Sequence, residues 1–253
     1  MGALGEKELY VRGIYVKDDL PEDNYVHELY VVRELVKSGE LTFSSPVTIF
    51  VGENGVGKST LIEAIAVALG FNAEGGTRNF NFSTMASHSI LSEHLCVQKG
   101  HRLIHDGFFL RAESFYNVAS NIEELDKGAG GARVIDSYGG TSLHEQSHGE
   151  SFMALARNRF GGKGLYILDE PEAALSPRRV MELMATMKRL VDDESQFLIS
   201  THSPMIMMFP GADVVQIGHG GIRHVDYRET DHFQIMARFL ADPDRMLSYL
   251  FGE

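Results

Sequence analysis

Val47-Thr-Ile-Phe-Val51-Gly52-Glu53-Asn54-Gly55-Val56-Gly57-Lys58-Ser59-Thr60 runs from a nearly all-apolar, β-prone stretch into a glycine-rich turn. Leu61, Ile62, Ile65, Ala66 and Leu69 follow at helical spacing, and Gly70 closes them. The segment therefore reads as a strand buried on both faces, a loop and a helix. Its turn satisfies G-x-x-x-x-G-K-[ST] in full, where that motif has to stand, after a strand and at a helix start. Glycines let backbone N–H groups point inward around phosphate oxygens, and the helix N-terminus adds partial positive charge. Lys58 would reach the β and γ phosphates and the Ser59 hydroxyl would ligate Mg²⁺. Glu53, Asn54, Gly55, Val56, Gly57, Lys58, Ser59 and Thr60 are the nucleotide-binding candidates of this loop.

Outward from this unit, Leu9 to Val16 and Leu29 to Leu35 read as short strands separated by the turn Asp18-Asp-Leu-Pro-Glu-Asp-Asn24. From Phe71 to Tyr138 the chain turns polar and glycine-bearing, with apolar segments around Ile90 to Val97 and Phe108 to Arg111 and a loop at Lys127 to Gly131. This stretch reads as an inserted, mainly helical lobe. Leu165-Tyr-Ile-Leu168 and Phe197-Leu-Ile-Ser200 are runs of core-strand type with a helix between them. In that helix Ser176 is the N-cap, Pro177 the first helical residue, and Val180, Leu183, Met184, Met187 and Val191 the buried stripe. Strands alternating with helices argue for a parallel α/β sheet. Val214 to Ile217 and Ile222 to Val225 form a hairpin around Gly218-His-Gly-Gly221, and an amphipathic helix is expected near Phe233 to Leu250.

Composition narrows the partners. The 253 residues carry 35 Asp and Glu against 23 Lys and Arg, a formal charge of −12, so the chain is no generic polyanion binder. Contact with DNA would need a local basic patch or a partner protein. With 43% hydrophobic residues the chain can bury a substantial core, which argues against disorder. The single cysteine, Cys96, excludes an intrachain disulfide framework and a four-cysteine zinc site, as suits a reducing compartment. Met1 to Glu8 lacks the basic and apolar regions of a signal peptide, and no stretch approaches the roughly 20 apolar residues that span a bilayer. A cytoplasmic location is the expectation.

Two further clusters carry chemistry. Leu165-Tyr-Ile-Leu-Asp169-Glu170-Pro171 is an apolar strand ending in two carboxylates, of which Asp169 would hold Mg²⁺ and Glu170 would polarise an attacking water. His202, just after the strand ending at Ser200, could contact the γ-phosphate. Solvated turn carboxylates and a structural histidine are the alternatives. His144-Glu-Gln-Ser-His148 matches the zinc-protease pattern H-E-x-x-H, yet Gly139-Gly140 precede it and Gly149 follows at once. The segment reads as a loop entering a helix that carries Phe152, Leu155 and Ala156, where glycine serves close backbone approach better than zinc geometry.

The order of these motifs, with Ser147-His148-Gly149-Glu150-Ser151 opening a helix between them, resembles the ATP-binding cassette (ABC) ATPase superfamily. Ser147, His148, Gly149 and Glu150 would be a divergent S-G-G-Q signature that keeps the serine and the second glycine. Asp169-Glu-Pro-Glu-Ala-Ala-Leu-Ser-Pro177 is similar to the RecF, OLD and SMC (structural maintenance of chromosomes) group, and the chain looks most like small stand-alone bacterial AAA-family ATPases with an H-G-E-S-F signature. Arg78, twenty residues after Lys58, stands where SMC heads carry an arginine beside the phosphates; a surface arginine is the alternative. Phe108-Phe-Leu-Arg-Ala-Glu113-Ser-Phe would replace the Q-loop, with Glu113 a further metal contact, and Ser176 replaces the usual D-loop aspartate. None of Tyr10, Tyr15 and Tyr25 is marked out as the adenine-stacking residue.

The resemblance implies an α/β P-loop NTPase of ABC-ATPase type, with a mainly parallel core sheet, an N-terminal antiparallel sheet and an inserted, mainly helical lobe. It implies one domain over 1–253, with 1–77 and 151–253 as nucleotide-binding core and about 78–150 as the lobe. It also implies an ATPase, with ATP and Mg²⁺, catalytic Glu170 and His202, and an ATP-dependent homodimer in which the signature of one subunit faces the phosphate held by the other. A nuclease or other effector protein would receive the output, in DNA maintenance or defence. A non-hydrolysing dimerisation switch and a transporter's nucleotide-binding subunit are the other classes to weigh, because function is not read from fold.

Overall fold

The computed structural model describes residues 8–17, 20, 25–78, 90–111, 115–128 and 133–252. The elements are β1 (Val11–Val16), α1 (Tyr30–Ser38), β2 (Leu41–Thr42), β3 (Val47–Val51), α2 (Lys58–Ala68), α3 (Leu91–His94), β4 (Leu95–Lys99), β5 (Asp106–Arg111) and α4 (Phe115–Gly128). They continue with α5 (His148–Asn158), β6 (Gly164–Asp169), α6 (Pro177–Asp192), β7 (Gln196–Ser200), α7 (Pro204–Met207), β8 (Asp213–Gly218), β9 (Gly221–Val225), α8 (Asp231–Ala241) and α9 (Pro243–Phe251).

The main sheet has the order β5-β6-β7-β3-β8-β9, parallel throughout except for β9. Alternation along β3 explains its apolar run. Val47, Ile49 and Val51 join one core with α4, α5 and α6, whereas Phe50 joins the other with α2, α1 and β1. β6 divides in the same way, with Tyr166 and Leu168 against Leu165 and Ile167. A smaller antiparallel sheet, β2-β1-β4, covers the α2 face. It is tied to the main sheet by the buried Gln196, whose Oε1 accepts from the Tyr10 and Val11 N–H groups at 2.8 and 2.9 Å while its Nε2 donates to the Val11 carbonyl at 2.8 Å. A buried amide with its hydrogen bonds met holds a register that apolar packing alone would leave free.

Three expectations are corrected. Leu29 to Leu35 belongs to a helix, because Val31, Val32 and Leu35 fall on one helical face and are fully buried there, and Gly39 at φ +77° ends it. The Tyr-Val-Val run is β-prone, but its packing surface has the 3.6 period. Second, within the stretch 78–150 helix α4 covers Phe115–Gly128, yet the earlier part supplies β4 to the small sheet and β5 to the edge of the main one. Third, the C-terminal helix is two. Pro243 has no N–H to continue a helix and disfavours helical geometry at Asp242, whose side chain accepts from the Arg245 N–H at 3.1 Å and starts α9. The hairpin at β8 and β9 and the Ser176–Pro177 start of α6 are as expected. Part of the Lys127 to Gly131 loop lies outside the described residues. Among the described residues no helix is long and apolar enough to cross a membrane.

Candidate functional site

β3, β7 and β6 lie side by side, with Phe50 opposite Ser200 and Ser200 opposite Asp169, so their carboxyl ends finish on one line. Ligands of parallel α/β sheets bind outside such ends. The loop after β3 closes tightly. A Cβ on Gly52 would stand 2.1 Å from the Ile217 carbonyl oxygen, and one on Gly57, at φ +95°, would stand 2.7 Å from the Val31 side chain. No other residue fits at either position. The Val31 N–H donates to the Val56 carbonyl at 3.0 Å, so α1 braces the loop from outside. Lys58, at 5% exposure, folds back over the loop and donates to the Gly52 and Glu53 carbonyls at 2.8 and 2.9 Å. Burial pushes its pKa down, against the pull of the Glu170, Asp169 and Glu172 carboxylates. A cavity of about 430 Å³ beside the loop is lined by Glu53, Asn54, Val56, His219 and His232 among others.

Asp169 is buried at the end of β6, and its Oδ1 accepts from the Ser59 hydroxyl at 3.1 Å and from the Ser200 hydroxyl. Arg111, at the end of β5, lies 3.6 Å from the other Asp169 oxygen and donates to Glu63 of α2 at 2.6 Å. Sequence reasoning missed Arg111 and Glu63; their signal, a charged residue closing an apolar strand and another inside an apolar helix, is weak on its own. A hydroxyl and a carboxylate at this separation fit a hard cation that takes one or two protein oxygens and fills its shell with phosphate and water. Glu170 follows in the left-handed region, φ +49° and ψ +52°, which a non-glycine residue occupies at a cost of about 1–3 kcal/mol and which functional sites retain.

His202 stands over this line. Its backbone N–H and that of Ser203 donate to Glu172 Oε1 at 2.6 and 3.1 Å, which gives the second glutamate of Asp169-Glu-Pro-Glu172 a purpose the sequence did not reveal. Its ring nitrogen Nδ1 is 3.0 Å from Nε2 of His232, at the start of α8, and its Nε2 is 3.6 Å from Glu170 Oε1. Burial and then the Lys58 charge hold both imidazoles below the ordinary histidine pKa, so both are neutral near pH 7. His232 also escaped the sequence reading, since nothing local marks it.

Ser147 is the N-cap of α5, and Glu150 completes a capping box. The Glu150 carboxylate accepts from the Ser147 N–H at 3.0 Å and from its hydroxyl at 2.6 Å, and pairs with Arg179 at 3.2 Å. The Ser147 bonds and then Arg179 hold the Glu150 carboxyl below its ordinary pKa. A Cβ on Gly149 would meet the Ala174 carbonyl oxygen at 2.8 Å, so glycine serves close backbone approach there. His148, the first residue of α5, is exposed at this helix end. A groove of about 590 Å³ beside Glu150, Ser176 and Arg179 runs between α5 and α6.

Arg78 is not brought to the phosphate loop. Its guanidinium donates to the Ile104 carbonyl at 3.2 Å and lies by Gly70, at the other end of α2 from Lys58, a helix about 16 Å long. Twenty residues of sequence took the chain along the helix and away. Glu113 lies outside the described residues. Of the H-E-x-x-H residues, His144 sits in a short turn and bonds Ser120 at 3.1 Å, while His148 belongs to α5 beyond the Ser147 cap, so the two are not on one helical face.

Comparison with known proteins fits this geometry. Residues 32–128 match a family model described as an AAA domain, and residues 139–208 match one described as an AAA domain, AbiEii toxin, of a type IV toxin–antitoxin system. No curated protein matches significantly in sequence. A structure described as an inward-facing metal-chelate type ABC transporter is similar over 90% of this chain and 88% of its own, at 11% identity and a TM-score of 0.51. A bacterial ABC transporter cassette solved as a dimer is similar over 76% of this chain and 90% of its own, at 15% identity and a TM-score of 0.44. The chain thus has the α/β fold of the ABC-type P-loop ATPases, and its likenesses support a P-loop ATPase.

Proposed function

We propose that this chain, built on an ABC-type P-loop fold, is a Mg²⁺-dependent ATPase that works as an ATP-sandwiched homodimer. One observation carries the reading: Lys58, Ser59, Asp169, Glu170 and His202 come from three separate stretches of sequence and converge at the carboxyl ends of adjacent strands. The loop 52–60 and the α2 N-terminus bind the phosphates, and Lys58 turns from its own carbonyls to the β and γ phosphates. Ser59 and Asp169 hold Mg²⁺, which neutralises charge on the phosphates. Glu170 accepts a proton from water as the water oxygen bonds to the γ-phosphorus and the bond to the β–γ bridging oxygen breaks, releasing ADP and phosphate. His202 donates a hydrogen bond to the γ-phosphate. Ser147 and Gly149 of a second copy close the site from the opposite side, with His148 and Glu150 at its edge.

The setting we favour is a DNA-maintenance or defence-type system in which a nuclease or other effector protein reads the dimer. The toxin–antitoxin description of the model matching 139–208 supports that setting. The test is phosphate release by the pure protein, with light scattering of Glu170→Gln with and without Mg-ATP. Turnover lowered about 10²–10³-fold by Lys58→Ala and about 10²–10⁴-fold by Glu170→Gln, with an ATP-induced dimer of the latter, is the expected result. Dimerisation without turnover would replace it by the non-hydrolysing switch; monomers at saturating ATP would overturn the sandwich.

A further inference from the structure

We propose that His232 is a positioning residue for His202: its Nε2–H donates to His202 Nδ1, which fixes His202 as the Nε2–H tautomer and aims that N–H at the site of the γ-phosphate. The inference rests on the proposed role of His202, but its geometry stands apart from it.

The two nitrogens are 3.0 Å apart and the rings tilt at 50° with centroids 5.1 Å apart, a distance at which one nitrogen must carry hydrogen and the other a lone pair. Which one carries it follows from the far side of the His202 ring. Nε2 is buried, without a hydrogen-bond partner among the described residues, and faces Glu170 Oε1 at 3.6 Å. A lone pair there would face a carboxylate, whereas an N–H is attracted by it. Nε2 therefore carries the proton, Nδ1 accepts, and His232 is the donor. Among the described residues the other charged groups acting on the pair are Lys58 on both rings, Asp169 on His202, and Asp231, Glu53 and Glu172 on His232. Burial and then Lys58 keep both rings neutral, as a donor–acceptor pair requires.

His232 reaches this position from α8, a helix with no fully buried residue, whose N-cap Thr230 is itself fully buried and accepts from the Phe233 N–H at 3.3 Å. The opposite tautomer would present a lone pair to an anionic phosphate and repel it. Orientation of a catalytic imidazole by the partner of its other nitrogen is a general device.

The experiment is ¹⁵N–¹H correlation of the histidine rings in nucleotide-free protein, with His202 assigned by loss of its signals in His202→Asn. Expected are a protonated Nε2 and an unprotonated Nδ1 in the wild type, retained in His232→Gln, whose amide can still donate, and lost or mixed in His232→Leu. In phosphate-release assays His232→Leu should lower kcat about 10–100-fold with little change in KM for ATP, and His232→Gln should recover much of it. A proton on His202 Nδ1 in the wild type would overturn the proposal, as would an unchanged tautomer and kcat in His232→Leu. If His232→Leu does not fold, the wild-type and His232→Gln spectra decide. An inactive wild type with the expected tautomer would defeat the ATPase reading and leave the pairing intact.

Discussion

Two helices of this molecule face phosphate in the proposed mechanism, and their N-termini are finished in opposite ways. α2 starts at a left-handed glycine and has no acidic residue in its first turn, so the partial positive charge of its end is left for an anion from outside. α5 starts at Ser147 and carries Glu150 in its first turn, bonded to the cap and paired with Arg179. The first end is open to an anion from outside the chain. The second already holds an anion of its own chain, and in the proposed dimer a γ-phosphate would have to exchange places with Glu150 to reach Ser147. In the single chain the Glu150 carboxylate is paired with Arg179, and in the proposed dimer it would set a threshold for closure.

The comparison breaks if the α2 end is dispensable. Lys58→Ala should lower phosphate release about 10²–10³-fold, as loss of a charge-stabilising donor does, and near-normal turnover would mean that the phosphates bind elsewhere. It is sharpened at the other end by Glu150→Gln, which can still accept from the Ser147 N–H but no longer pairs with Arg179 as a charge. The ATP-dependent dimer should then form about two- to fivefold more tightly in sedimentation analysis. Weaker dimerisation would make Glu150 part of the interface instead of its competitor.

Acid stability tests the neutral histidines that belong to the α2 side. Both His202 and His232 titrate below the unfolded value of about 6.5, so over the interval beneath that value the unfolded chain binds more protons and stability falls as pH falls. Urea unfolding between about pH 7.5 and about pH 5.5 should show this slope, reduced in His232→Gln. An equal slope in the variant would assign it to other groups. The smallest effect belongs to Arg78→Ala, which should leave ATP affinity unchanged and stability within about 0.5 kcal/mol, because the side chain lies by Gly70 at the far end of α2 from Lys58 and is exposed. A clear loss of ATP binding would return Arg78 to the site.

Most of the candidate site was legible because its parts are contiguous. The glycine loop, the Asp169-Glu170 pair and His202 each end an apolar strand, and a strand followed by a polar turn is a local pattern. The spacing of Arg78 misled because a helix converts twenty residues into a displacement whose direction sequence distance does not carry. Leu29 to Leu35 misled because valine pairs satisfy both periods over so short a run, and only the face of β1 and the loop beside Gly57 select the helix. Glu172, Arg111 and His232 were invisible for one reason: each acts through a residue at least thirty positions away.

By itself, the sequence determined the strand–loop–helix unit, the placing of carboxylates and histidine at strand ends, and the glycines that no other residue can replace. These follow from backbone geometry within a few residues, where the chain has little choice. Tertiary structure alone decided the strand order that sets Ser200 between Phe50 and Asp169, the partner that orients His202, and the neutralisation of Glu150 by Arg179. Those depend on which distant side chains share a few ångströms of low-dielectric space, where hydrogen bonds and charges act between neighbours in space whatever their separation along the chain.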